Sequence, residues 1–229
     1  MGYRDLREWL GQVESLGELK TVEGADWDLE IGAIIEMARK ESQVAPCILF
    51  DSIKGFDKGL RLVAGQLNSI KRVALTCGMP TDLATMDLVA AMRKKIKELK
   101  PISPREVKEG PFMENLWEEK DVDILRFPTP RYNIHDGGRY IGTGHLTITR
   151  DPEEGWLNIG TYRVMIQDSK SVGLYISPGR HARIQMEKYF AQKSSHAGGA
   201  VFGTRSVAVY GLGVRSTLRS IRNTILPVG

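Results

Sequence analysis

Two neighbouring stretches of the chain decide how its second half folds: Asn158-Ile-Gly-Thr-Tyr-Arg163 and Gly173-Leu-Tyr-Ile-Ser-Pro-Gly-Arg-His181. They place an amide, a guanidinium and an imidazole on consecutive elements. Within the second stretch, a loop with proline and glycine leads into a helix. Asn and His side chains bind divalent cations, and the planar Arg side chain pairs with phosphate or carboxylate. Backbone N–H groups at a helix start also favour negative charge. The two stretches therefore indicate an anion and metal site.

The sequence around this site favours strands. Thr147-Ile-Thr149 and Tyr162–Ile166 alternate polar and apolar residues, which is typical of strands with one solvent-facing side. A helix is predicted from about His181 to Phe190. We expect a mainly β domain that forms a barrel or a strongly curved sheet. Its predicted strands lie within Glu106–Lys108, Val122–Leu125, Tyr140–Arg150, Asn158–Gln167 and Val172–Ile176.

The first half of the chain alternates helices and strands instead. Apolar residues at helical spacing predict helices over Tyr3–Leu16, around Ile31–Ala38, over Ser69–Thr76 and over Asp82–Leu99. Short apolar runs predict strands at Leu19–Val22, Cys47–Phe50 and Leu60–Ala64. Pro101 and Pro104 end this pattern. The prediction is an α/β (α+β) protein with an N-terminal α/β domain over residues 1–103 and a second domain over 104–229, of which 193–229 form an atypical tail.

Composition narrows the class of protein. The 229 residues are 41% hydrophobic and 26% charged, which are globular values, and no apolar stretch reaches the roughly 18 residues of a membrane span. The acidic, amphipathic start is unlike a signal peptide, so we expect a soluble, cytoplasmic protein with no membrane partner. Cys47 and Cys77 lack metal-site spacing and are interpreted as buried small hydrophobic residues.

Charge is unevenly distributed along the chain. The net charge is +4, and no Asp or Glu follows Glu187, whereas residues 193–229 contain five basic side chains. A basic tail of this kind suggests nucleic-acid binding, but it lacks interleaved aromatic residues or a dense Arg/Lys cluster. Composition therefore argues against a nucleic-acid partner. A protein that interacts through its basic tail stays open as a third interpretation.

Several motifs in a fixed order carry a family resemblance. In chain order the motifs are Asp5-Leu-Arg-Glu-Trp-Leu, Gly17-Glu-Leu, Pro128-Thr-Pro-Arg-Tyr132, His135-Asp-Gly-Gly-Arg-Tyr-Ile-Gly-Thr143 and the two stretches quoted first. Over about residues 1–192 the chain resembles the UbiD family of prenylated-FMN-dependent (de)carboxylases. The resemblance implies a split-β-barrel flavin-binding domain, incomplete here, and a homo-oligomeric full-length enzyme. It also implies reversible, non-oxidative decarboxylation of an aromatic or α,β-unsaturated carboxylic acid through a prenylated-FMN adduct.

The resemblance also implies roles for individual residues. Asn158 and His181 match metal ligands that bind a divalent cation, usually manganese, at the cofactor phosphate, with a potassium ion nearby. Arg163 matches the catalytic arginine, whose guanidinium holds the substrate carboxylate. His135 and Asp136 are interpreted as structural residues of a turn, and His145 as a packed residue. The residues that fall where the family lines its cofactor pocket are Thr161, Tyr162, Arg163, Leu174, Tyr175, Ile176, Arg180 and Thr143.

The chain departs from the family after about residue 192. Family members run to roughly twice this length, and the missing part would include a third metal ligand and both catalytic glutamates. We therefore expect the 229 residues alone to be inactive. Codons for His196-Ala-Gly-Gly199, shifted by one base, read Met-Pro-Val as the family does, which suggests a frameshift; a natural truncation or a divergent tail is the alternative. A non-catalytic flavin- or phosphate-binding module, or an accessory subunit, would also explain the missing acids.

Overall fold

The computed structural model describes residues 3–100, 117–142, 144–194, 198–204 and 207–212. The chain divides into two compact units, the first of Met1–Asp26 and Glu30–Leu116 and the second of Trp27–Leu29 and Trp117–Gly229. Trp27–Leu29 groups with the second unit because the Leu29 N–H donates to the Arg131 carbonyl and the Arg131 N–H donates to the Trp27 carbonyl, at 2.9 and 3.1 Å. The expected domain boundary at residues 103/104 lies outside the described residues.

The first unit is built from helices and a small sheet. Its elements are α1 (Leu6–Ser15), β1 (Leu19–Glu23), α2 (Glu30–Glu41), β2 (Cys47–Asp51), β3 (Leu62–Ala64), α3 (Ile70–Thr76) and α4 (Thr85–Glu98). The sheet has the order β1-β2-β3, in which β1 and β2 are parallel and β2 and β3 are antiparallel. A parallel pair needs a crossover connection, and the chain between β1 and β2 includes α2. The predicted alternation of helices and strands is confirmed.

Local signals in the sequence explain where the helices begin and end. The Asp5 carboxylate accepts a hydrogen bond from the Glu8 N–H at 2.9 Å and caps α1, while Gly17, at φ +71°, follows its end. Ser69 caps α3 in the same way through the Arg72 N–H. The apolar side of α1, including Trp9 and Val13, packs into the core of the unit.

The two cysteines differ in their surroundings. Cys47 is fully buried in that core, as predicted, and burial raises the pKa of its thiol to about 11, so the thiol stays neutral. Cys77 is only half-buried at the end of α3, so the prediction that both are buried is wrong for Cys77. The helix end explains the difference, because Cys77 is the C-terminal cap residue rather than part of the packed face.

The core of the first unit also encloses a charged side chain, that of Arg72. Its guanidinium contacts the Glu18 carboxylate at 2.6 Å and donates to the carbonyl oxygens of Ala45, Gly65 and Gln66 at 2.6 to 3.1 Å. Arg72 is fully buried, and the Glu18 side chain is 15% exposed. A buried charge is tolerated when it is paired and hydrogen-bonded, and this one meets both conditions.

The second unit is mainly β. After two 3-10 turns at Glu119–Asp121 and Ile124–Arg126, its elements are β4 (Arg139–Gly142), β5 (Leu146–Arg150), β6 (Leu157–Gly160), β7 (Val164–Ile166), β8 (Val172–Leu174), α5 (His181–Ala191), β9 (Gly198–Thr204) and β10 (Val207–Leu212). The helix begins at His181, as predicted. The strands form two antiparallel sheets within the described residues, with the orders β10-β9-β5-β6 and β4-β7-β8. The α/β fold class is confirmed, whereas the described residues show no closed barrel.

Three strand predictions need correction. Val122–Leu125 is not extended: the Asp123 side chain accepts from the Leu125 N–H at 3.0 Å and starts a 3-10 turn instead. Tyr140–Arg150 and Asn158–Gln167 are each two strands rather than one. In both cases the chain leaves one sheet and enters the other, so β4 and β7 pair with each other while β5 and β6 pair in the four-stranded sheet. The predicted strand at Glu106–Lys108 lies outside the described residues.

No helix in the described part of the chain combines the length and the apolar character that a membrane crossing requires.

Candidate functional site

A row of polar side chains lies on the buried side of strand β5. His145, Thr147, Thr149 and Asp151 alternate along the chain and are each at most 3% exposed. The predicted alternation is correct, but the polar side is the buried side of this strand rather than its solvent-facing side. His145 is packed, as interpreted from the sequence, and its Nε2 lies 3.2 Å from the Thr147 hydroxyl. Buried polar side chains need hydrogen-bond partners, and the neighbouring elements supply them.

Helix α5 and strand β6 provide partners for Thr149. The Thr149 hydroxyl donates to Oε1 of Gln185 at 2.5 Å and accepts from Nδ2 of Asn158 at 3.1 Å. Gln185 is fully buried, and its Nε2 donates to the Trp156 carbonyl oxygen at 3.5 Å. Asn158 Nδ2 also lies 3.4 Å from the Tyr162 hydroxyl. We refer to Asn158, Thr149, Gln185 and the Trp156 carbonyl as the amide relay.

His181 belongs to the same neighbourhood as Asn158. It is the first residue of α5, so it shares a helix face with Gln185 four residues later. Its ring contacts the Trp156 ring edge to face, with centroids 5.5 Å apart and an interplanar angle of 87°. The exposed imidazole is therefore held against Trp156, the residue whose carbonyl oxygen starts the amide relay. Asn158 on β6 and His181 on α5 are thus both connected to Trp156, the first through the relay and the second through its ring.

The N-terminus of α5 is open to an anion. No side chain caps it, although Arg180 occupies the cap position, and Gly179 in the preceding loop has φ +77°. Uncapped N–H groups in the first turn attract phosphate or carboxylate. The exposed guanidinium of Arg180 adds positive charge at this end of the helix.

Arg163 lies on the segment between β6 and β7. Its guanidinium carbon is 5.8 Å from the Tyr140 ring centroid, and its carbonyl oxygen accepts from the Tyr175 N–H at 3.3 Å. The Arg163 side chain is exposed, which suits a group that receives a carboxylate from solution. Arg163, Tyr140 and Tyr175 thus form a second group of contacts beside the amide relay.

The other candidate pocket residues differ in burial. Thr161 is exposed, whereas Tyr162 is half-buried with its ring over Gly160, where an added Cβ would lie 2.6 Å from the ring. Leu174 is half-buried, Ile176 is buried and Tyr175 is 60% exposed. Thr143 lies outside the described residues. Tyr162 connects these residues to the amide relay through its contact with Asn158.

Two ion pairs connect α5 to the turn between β5 and β6. The Lys188 ammonium lies 3.0 Å from Asp151 and 2.9 Å from Glu153, and Asp151 accepts from the N–H groups of Glu153 and Glu154. Burial alone would raise the pKa of Asp151, but the Glu154 N–H and Lys188 outweigh it and lower that pKa. Hydrogen bonds with Glu153 and then Asp151 raise the pKa of Lys188. Both groups are therefore charged at neutral pH.

The glycine-rich turn before β4 has a structural role. Asp136 accepts from the Asn133 N–H at 2.9 Å, which closes the turn, while His135 is exposed. Burial, and secondarily the Asp136 charge, raise the pKa of Tyr132 to about 12. Arg139 donates to the Thr129 carbonyl oxygen at 2.8 Å. The contact of Asp136 agrees with its interpretation as a structural residue of the turn, whereas the structural role of His135 stays a prediction.

Five residues around the site were not predicted from the sequence: Thr149, Gln185, Trp156, Asp151 and Lys188. Two signals pointed to them. The polar alternation of β5 extends to Asp151, and Gln185 follows His181 at the helical spacing of four. Neither pattern shows which side of the strand is covered, because the covering helix lies about 36 residues further along the chain.

Two family models match, the N-terminal domain of 3-octaprenyl-4-hydroxybenzoate carboxy-lyase over residues 10–92 and its Rift-related domain over residues 105–211. A pyrrole-2-carboxylic acid decarboxylase from Pseudomonas aeruginosa is 32% identical over 193 residues, covering 81% of this chain and 38% of that protein.

Solved structures agree in fold. A vanillic acid decarboxylase from Sedimentibacter hydroxybenzoicus in closed form has a TM-score of 0.82 at 28% identity, covering 90% of this chain and 44% of that one. An evolved dimeric form of HmfF from Pelotomaculum thermopropionicum, in complex with prFMN, has a TM-score of 0.73 at 26% identity, covering 89% and 45%. The chain therefore spans about two fifths of the length of these relatives.

Proposed function

The chain belongs to the UbiD family of carboxy-lyases, whose N-terminal portion it matches, and on that premise we propose that it is part of a prenylated-FMN-dependent decarboxylase. The proposed reaction is the reversible, non-oxidative decarboxylation of an aromatic or α,β-unsaturated carboxylic acid. Relatives named as decarboxylases of pyrrole-2-carboxylic and vanillic acids support this substrate class. Two observations support the proposal: the His181 ring contacts the Trp156 ring, and a chain of hydrogen bonds through Thr149 and Gln185 joins Asn158 to the Trp156 carbonyl oxygen.

The residues at this place fit a divalent metal. Both hydrogen bonds of the Asn158 side chain within the described residues use Nδ2, which leaves the oxygen Oδ1 for a hard cation. His181 adds an exposed imidazole. The described residues contain no cluster of three His, Cys, Asp or Glu side chains with metal-binding geometry. We therefore assign Asn158 and His181 as two ligands of a site whose remaining ligands come from outside these residues.

The proposed cofactor site adjoins this metal site. When bound, prenylated FMN supplies the electron-accepting centre for loss of carbon dioxide. The open N-terminus of α5 and the Arg180 guanidinium suit its phosphate. We propose that Thr161, Tyr162, Leu174, Tyr175 and Ile176 line the pocket, together with Thr143.

Arg163 is the proposed catalytic residue of this chain. A planar guanidinium binds a carboxylate through two parallel hydrogen bonds, which orients the acid as well as attracting it. The Arg163 backbone is tied to Tyr175, and Tyr140 lies beside its side chain. We infer that Arg163 holds the substrate carboxylate.

Further parts of the proposal rest on the family resemblance. They are a split-β-barrel arrangement of the second domain, manganese as the metal, a nearby potassium ion, a homo-oligomeric full-length enzyme and a cytoplasmic location. The domain division at residues 103/104 is part of the same proposal.

We also propose that these 229 residues do not turn over substrate on their own. General acid catalysis needs a protonatable group near the reacting atoms, and no Asp or Glu follows Glu187. The second candidate is a non-catalytic flavin- or phosphate-binding module. A one-base frameshift near His196 is the proposed cause of the acid-free stretch after Glu187. The nucleotide sequence after codon 192 tests it: an alternative frame that encodes a glutamate-containing continuation supports the proposal.

Carbon dioxide release separates the enzyme from the module. The 229-residue chain and a version continued in the alternative frame are reconstituted with prenylated FMN, Mn²⁺ and K⁺ and offered pyrrole-2-carboxylic, vanillic and cinnamic-type acids. We expect cofactor binding by both and turnover only by the continued version. Cofactor binding without turnover by either would favour the module.

A further inference from the structure

We propose that Thr149 and Gln185 are positioning residues that fix the orientation of the Asn158 amide, so that its oxygen and not its nitrogen is available to a cation. This inference rests on the proposed metal site. Neither residue belongs to the set of ligands or pocket residues described above. Thr149 and Gln185 instead set the direction of the hydrogen bonds that run from the Trp156 carbonyl to Asn158.

An asparagine side chain has two chemically different ends of similar shape. Oδ1 carries lone pairs and binds cations, whereas the Nδ2 amino group only donates hydrogen bonds. A rotation of the amide by half a turn would present N–H groups to the cation. An Asn ligand therefore needs a neighbour that distinguishes its two ends, which a carboxylate ligand does not need.

The amide relay distinguishes them because it starts from a backbone carbonyl. The Trp156 carbonyl oxygen only accepts, so the group of Gln185 facing it is Nε2, and Oε1 is the end that faces Thr149. Oε1 also only accepts, so the single hydroxyl hydrogen of Thr149 is donated to Gln185. The Thr149 oxygen then accepts, and the Asn158 group facing it is Nδ2. Each step leaves one orientation of the next group.

The other contact of Asn158 does not provide this direction. The Tyr162 hydroxyl, 3.4 Å from Nδ2, both donates and accepts, so it suits either end of the amide. Burial strengthens the relay, since Asn158, Thr149 and Gln185 are 7%, 2% and 0% exposed. In such surroundings a reversed amide is costly, because its Oδ1 would face the Thr149 oxygen, which also only accepts here.

The first test compares substitutions of Thr149 that keep either its shape or its hydroxyl. Mn²⁺ is titrated into the 229-residue chain in the presence of FMN, and free Mn²⁺ is counted by electron paramagnetic resonance. We expect Thr149→Val to weaken Mn²⁺ binding about tenfold, as is typical of groups that orient a metal ligand, and Thr149→Ser to restore most of it. Thr147→Val is the matched control, because Thr147 is equally buried on the same side of β5 and lies outside the relay.

The second test removes the need for orientation. A carboxylate offers an oxygen at either end, so in the Asn158→Asp background Thr149→Val should change Mn²⁺ affinity less than about threefold. Equal losses in both backgrounds would show that Thr149 acts through general packing, and they would overturn the positioning role. Gln185→Glu extends the test, because a carboxylate oxygen cannot donate to the Trp156 carbonyl, and it should weaken Mn²⁺ binding in the Asn158 background.

Failure of the metal site and failure of the relay have different signatures. If Asn158→Ala and His181→Ala leave Mn²⁺ binding unchanged, the proposed metal site is wrong. If they weaken it and Thr149→Val does not, the relay is wrong. For a chain that binds no Mn²⁺, solvent exchange of the Asn158 side-chain NH₂ group, measured by NMR, decides: we expect slow exchange that Thr149→Val accelerates and Thr149→Ser preserves. Equally fast exchange in all three proteins would overturn the positioning role.

Discussion

Each unit of the protein buries a polar cluster, and the two clusters differ in whether they are complete. In the first unit, the described hydrogen bonds of Arg72 end on Glu18 and on backbone carbonyls, so the cluster is closed. In the second unit, the relay from Gln185 through Thr149 to Asn158 also starts at a backbone carbonyl, but it leaves one acceptor, Oδ1, outside its hydrogen bonds.

The comparison shows how buried polarity serves stability in one place and binding in another. A closed cluster has no capacity for a ligand, and its removal should affect folding. An open cluster holds one group in a defined orientation at the edge of the network, and its removal should affect binding. The two clusters can therefore be told apart by substitution.

The largest expected effect is on the closed cluster. Arg72→Met should lower the free energy of unfolding by about 3–5 kcal/mol, because it leaves the Glu18 carboxylate without its buried partner. Urea denaturation measures the change. Arg39→Met is the matched control, since Arg39 pairs with Glu36 on the exposed side of α2, and it should leave stability within experimental error. A stable Arg72→Met protein would show that the cluster is not a folding requirement.

Substitution of Arg163 should affect activity and leave stability unchanged, the reverse of what we expect for Arg72. In a full-length enzyme, Arg163→Lys should reduce kcat/KM by about 100-fold, because Lys keeps the charge but lacks the two-pronged geometry for a carboxylate. Its stability should stay unchanged, since the side chain is exposed. Steady-state kinetics and urea denaturation together check the prediction. Near-normal turnover would identify Arg163 as a structural residue of the β6–β7 segment.

Two glycines, Gly65 in the first unit and Gly160 in the second, should differ in how much stability an alanine substitution costs. An added Cβ at Gly65 would lie 2.8 Å from the Pro46 carbonyl oxygen in a backbone at φ +72°, so Gly65→Ala should destabilise the protein by more than about 1 kcal/mol. At Gly160 the three atoms nearest to the added Cβ all belong to the Tyr162 side chain, which can move. We therefore expect Gly160→Ala to cost less stability and to change the fluorescence or NMR signals of Tyr162. The opposite ranking in denaturation experiments would contradict this account.

The smallest expected effect concerns pH. The Glu154 N–H and Lys188 lower the pKa of Asp151, so its ionised carboxylate contributes stability above the ordinary Asp value of about 3.9, and this contribution is lost as the pH falls through the lowered value. Because the pKa of Lys188 is raised, its ammonium loses the charge that the ion pair needs only at strongly alkaline pH. The stability difference between the parent chain and Asp151→Asn should therefore be constant from about pH 6 to 9 and shrink below about pH 4. A difference that changes near pH 7 would implicate another group.

The parts of the fold that the sequence predicted are those with local causes. The helices predicted over Tyr3–Leu16 and Ser69–Thr76, and the start of α5 at His181, each depend on residues that are close together in the sequence. The alternation in β5 was equally visible. These signals act within one or two turns of the chain, so they can be interpreted without knowledge of the tertiary structure.

The parts that were not predictable depend on distant residues. Alternation defines the period of β5, but the side on which Thr147 and Thr149 are buried depends on α5. Likewise, the switch between sheets after β4 and β6 depends on which strands pair. The relay joins Thr149 to Gln185 across 36 positions, so its members were recognisable as polar residues but not as partners.

The central claim is that Asn158 and His181 bind a metal that retains the flavin phosphate, and Mn²⁺-dependent binding of FMN tests it most directly. The Kd for FMN is measured with and without Mn²⁺ for the parent chain, Asn158→Ala, His181→Ala and, as a control, His135→Ala, whose exposed ring lies in the turn before β4. We predict that Mn²⁺ tightens FMN binding in the parent and in the control, and that each of the other two substitutions removes at least about tenfold of that effect. Equal Mn²⁺-dependent affinities in all four proteins would contradict the claim.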